Sequence, residues 1–210
     1  NVLGIDLWKP KLKLNNSKAK PINLVANAAI SYDLTTDKML YGENIKTRLP
    51  IASLTKIMTA IIAIENGDLK QEIKIGKRAA EIGENSMGRT EEEVLTLEDL
   101  LYGLILLSGN DAAEAIARES PFGRENFVYL MNKKAENLGL SDTHFTNPSG
   151  LEGDGKQYST VSDLLVITKY ALGNPTFAKI VSTVEYEIPY SEKHKYFYMF
   201  NYCIFCISSS

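Results

Sequence analysis

The strongest hydrophobic pattern of the chain lies between Pro50 and Gly67. Proline is tolerated before or at the first turn of a helix but not inside one, so Pro50 fits a helix that begins shortly after it. Asn66-Gly67 would end that helix. The large apolar residues between these limits leave almost no polar face: Ile57, Met58, Ile61, Ile62 and Ile64. Such a helix is buried in a core, and the pattern predicts one that starts near Ser53.

A second apolar stripe runs from Leu97 to Leu107, and Thr96–Asp99 in front of it has the pattern of a capping box. This helix should end at Ser108-Gly109, and Asn110-Asp111 can cap the next helix, which covers Ala112–Arg118. Ser108 and Asn110 are thus predicted to lie on a tight corner between two helices. Such a corner can direct two short polar side chains at one point.

Weaker patterns complete the layout of the chain. Residues 28–34 and 38–41 predict a β-hairpin, and an amphipathic helix is predicted from Gly123 to Leu138. Thr160–Asp163 opens a further helix, and residues 184–188 alternate like a strand. Strands first, helices in the middle and strands again indicate an α+β fold.

The composition limits the classes of function. The chain has 210 residues, of which 44% are hydrophobic and 23% charged, and its net charge is −3. This suits one globular domain with its own core and gives no indication of nucleic-acid binding. No apolar run reaches the roughly 18 residues that a membrane-spanning helix needs. We expect no cofactor, and no group of His, Cys and Asp residues has the spacing of a metal site.

Ser53 and Lys56 form an S-x-x-K motif at the start of the predicted buried helix. Residues three apart share one helix face, so the two side chains should point together. Burial lowers the pKa of a lysine and lets it act as a base near neutral pH, and a serine hydroxyl becomes a nucleophile when a base takes its proton. Ser53 would also lie at the positive end of the helix. The alternative is a serine N-cap followed by an ordinary surface lysine.

Ser108-Gly109-Asn110 is an S-x-N motif. S-x-x-K and S-x-N are two of the three motifs of class A β-lactamases and penicillin-binding proteins. Taken alone, the second motif could be simple helix punctuation, since serine, glycine and asparagine are ordinary turn residues. The third motif, Lys-Thr-Gly, does not occur in the sequence. Residues 46–48 are no substitute, because they precede the nucleophile and lack the glycine.

The residues around these motifs resemble one family. Residues 50–60, 100–113 and 131–151 are similar to the D-alanyl-D-alanine carboxypeptidases, the low-molecular-weight penicillin-binding proteins, and the resemblance runs from about Ala28 to about Asn201. It implies a β-lactamase/transpeptidase-like fold, in which an antiparallel sheet accompanies a large helical subdomain. It also implies an enzyme of the bacterial cell envelope, outside the cytoplasm, which is secreted or membrane-associated.

The resemblance implies a reaction and a role for each motif residue. Ser53 would attack the carbonyl between the two terminal D-alanines of a peptidoglycan stem peptide and form an acyl-enzyme, with Lys56 as its base. Ser108 would relay a proton between the lysine and the leaving amine. Asn110 would hydrogen-bond the substrate backbone and help to hold Lys56. β-Lactam antibiotics would acylate the same serine.

The resemblance also divides the chain into three parts. We expect a polar leader of residues 1–26, a family domain of residues 27–201 and an aberrant aromatic and cysteine-containing tail of residues 202–210. In the family the third motif lies on a strand beside the nucleophile, where its lysine binds the substrate carboxylate and a backbone N–H supplies half of the oxyanion hole. That strand should fall near or beyond Ser210. We therefore expect an incomplete domain that lacks its C-terminal strands, and with them the C-terminal membrane anchor that family members often carry.

Two other functions stay open at this point. A class A β-lactamase would add a glutamate after the second motif to drive deacylation, but neither Glu136 nor Glu152 is a convincing match. A non-catalytic remnant, such as a pseudoenzyme, a binding module or an unstable fragment, would fit the absent third motif. The acidic stretch Glu81–Glu93 predicts a solvated loop or, alternatively, a loop that lines the substrate cleft. Cys203 and Cys206 form a lone C-x-x-C, which we do not expect to be functional.

Overall fold

The computed structural model describes residues 8–13, 24–151 and 154–201. The predicted tail, the cysteine pair and Glu152 lie outside these residues. Seven α-helices occur in the described part: α1 (Thr55–Asn66), α2 (Lys77–Ala80), α3 (Leu97–Leu106), α4 (Asn110–Arg118), α5 (Gly123–Asn137), α6 (Val161–Leu172) and α7 (Pro175–Ser182). Six short strands accompany them: β1 (Ala29–Asp33), β2 (Lys38–Glu43), β3 (Glu72–Lys74), β4 (Val94–Thr96), β5 (Glu185–Ile188) and β6 (Phe197–Phe200).

The described strands form three separate antiparallel pairs, β1–β2, β3–β4 and β5–β6. The first pair is the predicted hairpin, in which Ala29 lies opposite Glu43. Strands β3 and β4 were not predicted, because three residues are too short to show an alternating pattern. The order of strands, helices and strands is that of an α+β fold, as predicted.

Helix α1 is the centre of the molecule. It contacts α3, α4, α5, α6 and α7, and eight of its twelve residues are buried. Met58 and Ile62 are among the largest side chains that are fully enclosed. The predicted buried helix is therefore confirmed, although its regular part begins at Thr55 rather than at Ser53, which lies in a 3₁₀ turn formed by Ala52–Leu54.

The corner between α3 and α4 holds the second motif. Thr96 and Asp99 form the predicted capping box at the start of α3. The prediction that Asn110-Asp111 caps α4 is wrong, because α4 begins at Asn110 and its N-cap is Gly109, with no side-chain cap. Asn110 is therefore free of a capping role and directs its side chain elsewhere.

The β5–β6 hairpin is attached to α3 by a pair of tyrosines. The rings of Tyr102 and Tyr186 stack with their centroids 3.6 Å apart, and the Tyr186 hydroxyl donates a hydrogen bond to Asp99 at 2.9 Å. Burial, together with the nearby Asp99 carboxylate, raises the pKa of Tyr186. At the other end of the chain, Trp8 donates a hydrogen bond to Asp37 and lies under the Lys169 ammonium, which ties residues 8–13 to the β1–β2 hairpin and α6. None of the helices described is long and apolar enough to span a bilayer.

Candidate active site

Ser53 and Lys56 meet at the start of α1. The Lys56 Nζ lies 3.0 Å from the Ser53 Oγ, and the lysine is only 2% exposed. A serine in the 3₁₀ turn and a lysine in the first turn of α1 are three residues apart, so both project from one side of the chain. The alternative of an ordinary surface lysine is therefore wrong.

Two further oxygens complete the surroundings of the lysine. The Lys56 ammonium donates to Asn110 Oδ1 at 2.8 Å and to the backbone carbonyl of Ser149 at 2.8 Å. Among the described residues, no carboxylate forms an ion pair with it. Burial lowers the pKa of Lys56 to about 8, although the negative charges of Asp111 and Glu84 oppose this shift.

This arrangement determines what the neutral lysine can do. A neutral amine has two hydrogens and one lone pair. Asn110 Oδ1 and the Ser149 carbonyl can only accept hydrogen bonds, so they take both hydrogens. The lone pair is then left facing the Ser53 Oγ, which is the geometry a general base needs.

The loop of residues 147–150, which follows α5, packs against α1 and the turn that carries Ser53. The carbonyl of Pro148 accepts a hydrogen bond from Thr59 at 2.6 Å, and Asn147 Oδ1 accepts from the backbone N–H groups of Ser149 and Gly150. Gly150 has a φ of 84°, which favours glycine, and a Cβ there would lie 1.8 Å from the carbonyl oxygen of Ala52. The loop therefore fixes both the lysine acceptor and the turn that carries Ser53.

Sequence patterns assigned no chemistry to this loop. Ser149 acts through its backbone carbonyl, which leaves no signature in the choice of side chain. The available signal was the run Asn147–Gly150, in which asparagine, proline, serine and glycine predict a turn with a residue at positive φ. That signal gives the local shape of the loop but not its contact with Lys56.

Ser108 is placed differently from the other three motif residues. It has a φ of 56°, and its Oγ is buried without a hydrogen-bond partner among the residues described. It lines the same groove as Ser53 and Lys56 but makes no hydrogen bond to the lysine. Ser53, Lys56 and Asn110 thus form one network, and Ser108 borders it.

Two cavities of contrasting chemistry meet at Ser53. The first, a polar cleft of about 400 Å³, is lined by Glu84 and Asn85 of the acidic stretch, by Asn110 of α4 and by Asp154 and Gln157. Within the stretch 81–93, Glu84 and Asn85 are solvent-exposed and line this cleft. The second, an apolar groove of about 460 Å³, runs past Ser108 and is lined by aliphatic and aromatic side chains such as Leu104, Leu172 and Phe177. In the described part of the chain, no group of acidic, His or Cys residues could hold a metal ion.

Comparison with known proteins agrees with this geometry. The family model of peptidase S11, described as D-alanyl-D-alanine carboxypeptidase, matches residues 15–204. The chain is 36% identical to the D-alanyl-D-alanine carboxypeptidase DacF of Bacillus subtilis, over 76% of this chain and 42% of that protein. It is 37% identical to DacB2 of Mycobacterium tuberculosis, over 75% of this chain and 54% of that protein. The chain therefore spans about half the length of these curated relatives.

Solved structures show the same likeness. A D-alanyl-D-alanine carboxypeptidase from Mycobacterium tuberculosis H37Rv superposes with a TM-score of 0.80 and 32% identity, covering 93% of this chain and 71% of that one. The Streptomyces K15 DD-transpeptidase gives a TM-score of 0.79 and 31% identity, covering 86% of this chain and 74% of that one. The predicted transpeptidase-like fold and the family resemblance are confirmed. The chain belongs to the D-alanyl-D-alanine carboxypeptidases of peptidase family S11.

Proposed function

We propose that this protein is a serine-type D-alanyl-D-alanine carboxypeptidase that works through an acyl-enzyme on Ser53. The observation that carries the proposal is the buried Lys56 amine, with one contact to Ser53 Oγ and two to pure acceptors. A lysine whose pKa is lowered to about 8 has roughly a tenth of its population neutral at pH 7. That population can remove the serine proton without any histidine or metal.

The proposed reaction has two halves. In the first, Ser53 Oγ bonds to the carbonyl carbon between the two D-alanines while its proton passes to Lys56 Nζ. The bond to the terminal D-alanine breaks, and its amine takes a proton that we assign to a relay through Ser108. In the second half, water attacks the ester, and Ser53 is released with its proton restored through the same lysine. We assign to Asn110, which hydrogen-bonds to Lys56 and lines the polar cleft, a contact with the substrate backbone.

Membership of the family supports the proposed substrate and location. Its members act on peptidoglycan in the cell envelope, which supports a stem peptide ending in D-Ala-D-Ala as the substrate and an extracytoplasmic site of action. β-Lactams are proposed as inhibitors because they present a strained amide to the same serine. Secretion and membrane attachment belong to the same proposal.

One observation argues against the β-lactamase alternative. No carboxylate of the described residues hydrogen-bonds to Ser53 or Lys56, although Glu84 and Asp154 line the polar cleft beside them. Glu136, one of the two glutamates considered, lies exposed on α5 and pairs with Lys133. If the protein is a carboxypeptidase rather than a β-lactamase, a penicillin adduct on Ser53 should persist rather than turn over quickly.

The test is to incubate the 210-residue protein with a labelled penicillin and to map the adduct by mass spectrometry of its peptides. A stable adduct on Ser53 that is absent from Ser53→Ala is the expected result. Release of D-alanine from a peptide ending in Lys-D-Ala-D-Ala would then establish the carboxypeptidase reaction. Absence of any adduct in protein shown to be folded would overturn the proposal and favour a non-catalytic family member.

A further inference from the structure

Asp111 is a buried acid that the proposed reaction does not use. Its residue is 1% exposed, and no lysine or arginine of the described chain forms an ion pair with it. Its carboxylate instead accepts four hydrogen bonds, from Met87 N–H at 2.9 Å, Ala112 N–H at 2.9 Å, Ser86 Oγ at 2.8 Å and Arg89 N–H at 3.3 Å. A buried charge held only by neutral donors keeps its field, because no cation cancels it.

Three of these four hydrogen bonds come from one segment, residues 83–89, which we call the cleft wall. The wall carries Glu84 and Asn85 into the polar cleft beside Ser53. Asn110 adds a backbone hydrogen bond to the Asn85 carbonyl at 2.8 Å. The cleft wall is thus hydrogen-bonded both to Asn110, which holds Lys56, and to Asp111, the next residue in the chain.

The remaining hydrogen bond, which Ala112 N–H donates to Asp111, lies within the first turn of α4, where an acidic residue is favoured. That role alone does not explain the other three, which leave α4 and reach the wall. The Met87 side chain of the cleft wall also packs closely against Gly103 of α3: a Cβ on Gly103 would lie 2.0 Å from Met87 Sδ. Asp111 and the Met87 side chain together fix its position.

The charges around Lys56 are few. Asp111 approaches from α4 and Glu84 from the cleft wall, and the three groups that touch the amine are all uncharged. The nearest wall cation, Arg89, is directed away from the amine, with its guanidinium over the Phe197 ring and 3.7 Å from Glu93. Asp111 and Glu84 are therefore the negative charges that offset the burial of the lysine.

We propose that Asp111 is a positioning residue of the Ser53–Lys56 pair: its buried carboxylate fixes the cleft wall and supplies the negative charge that stabilises the lysine once it is protonated. The inference rests on the proposed function. When Lys56 takes the proton of Ser53, an ammonium forms in a buried site, and Asp111 lowers the free energy of that state without contacting the substrate. Glu84 adds to the same field from the exposed side of the cleft.

Three variants separate the two roles. Asp111→Asn keeps the size of the side chain but removes its charge. It also replaces one carboxylate oxygen by an N–H₂ group, which cannot accept the hydrogen bonds that this oxygen receives. Ser86→Ala removes one hydrogen bond between the wall and Asp111 but leaves the charge. Glu84→Gln removes a charge near Lys56 but no hydrogen bond of the wall to Asp111.

The primary measurement is the titration of the Lys56 side chain by ¹³C NMR at Cε, assigned by its disappearance in Lys56→Gln. Asp111→Asn should lower the midpoint by about one pH unit, because an opposite charge nearby raises a lysine pKa. Glu84→Gln should lower it by less, and Ser86→Ala should leave it unchanged. This titration needs no acylation, so it remains decisive even if the protein fails to react with penicillin and the proposed function falls.

The second measurement is the rate of penicillin acylation against pH. Asp111→Asn should move the rising limb to lower pH by the same amount and lower the plateau by about 10- to 100-fold, since a displaced wall misplaces the reacting groups. An unchanged NMR midpoint in folded Asp111→Asn would refute the role of the charge, and an unchanged plateau would refute the role of the wall.

If Asp111→Asn does not fold, Asp111→Glu keeps the charge but moves the carboxylate. It should lower the plateau while the midpoint stays within about half a unit, and an intact plateau would overturn the inference.

Discussion

Gly150 and Ala52 approach each other so closely that a Cβ on Gly150 would lie 1.8 Å from the Ala52 carbonyl oxygen. Ala52 immediately precedes the nucleophile and itself has a φ of 43°, a conformation that L-residues with a side chain rarely adopt. The turn that presents Ser53 is thus held in an uncommon shape by a loop about a hundred residues away in sequence.

Gly150→Ala should displace this turn and slow acylation of Ser53 by about 100-fold, because an error of about 1 Å at a reacting atom has that effect. The measurement is the second-order rate constant for labelling by penicillin. Gly139→Ala is the matched control, since Gly139 also has a positive φ of 75° but no atom within 4 Å of the position of its Cβ. Gly139→Ala should lose about 1 kcal/mol of stability from backbone strain and keep its acylation rate. Equal rates in the two variants would contradict the role given to Gly150.

Acylation should depend on pH through Lys56. Because burial lowers the pKa of Lys56 to about 8, the rate should rise through that pH and reach a plateau above it. Lys56→Arg keeps the positive charge but cannot lose its proton, so it should react about 10²–10⁴-fold more slowly at every pH. A wild-type rate that stays flat between pH 6 and pH 9 would exclude this lysine as the base.

The same shift should appear in the stability of the protein. The pKa of Lys56 is about 8 in the folded chain, against the ordinary lysine value of 10.5. Between these values the unfolded state binds more protons, so the free energy of unfolding should rise with pH across that window by about 3 kcal/mol. Below pH 8 the cost of burying the ammonium is present in full.

The measurement is denaturant unfolding of the wild type and of Lys56→Gln at several pH values between 7 and 10.5. The difference between the two curves cancels the titration of other groups and should contain the rise due to Lys56. Curves that run parallel over the whole range would show that Lys56 titrates as it does in the unfolded chain.

Ser108→Ala should separate catalysis from stability. The Ser108 Oγ is buried and has no hydrogen-bond partner among the described residues, so its removal should not lower the free energy of unfolding. If Ser108 relays a proton, release of the leaving amine should slow by about 10²–10⁴-fold. The control is Ser159→Ala, which removes a buried hydroxyl that hydrogen-bonds to Thr143 at 2.8 Å and should cost about 1–2 kcal/mol. Large destabilisation by Ser108→Ala would assign it a structural role instead.

Much of the helical part could be predicted from the sequence, because long apolar patterns decide both type and burial. Helix α1 and the capping box of α3 are the clearest cases. Strands β3 and β4 could not be predicted, since their pairing is a tertiary event between three-residue segments. That Ser53, Lys56 and Asn110 lie together could be predicted, because they belong to two recognisable motifs.

The rest of the site depends on backbone atoms and on hydrogen bonds between residues that are distant in sequence. The Ser149 carbonyl could not be identified, because every residue has a carbonyl and only the fold brings this one to Lys56. Asp111, together with Asn110, was expected to cap α4, because aspartate and asparagine are common N-cap residues. Its hydrogen bonds to the cleft wall depend on residues more than twenty positions away, which no local pattern encodes.

The three oxygens that surround the Lys56 amine come from distant parts of the chain. One lies three residues away, one 54 and one 93. The amine therefore becomes a base only when α1, α4 and the 147–150 loop have come together. A peptide carrying the S-x-x-K motif alone would contain a lysine that titrates like any lysine in water. Reactivity of Ser53 is in this sense a reporter of the whole tertiary structure, and its loss on addition of denaturant should coincide with global unfolding rather than precede it.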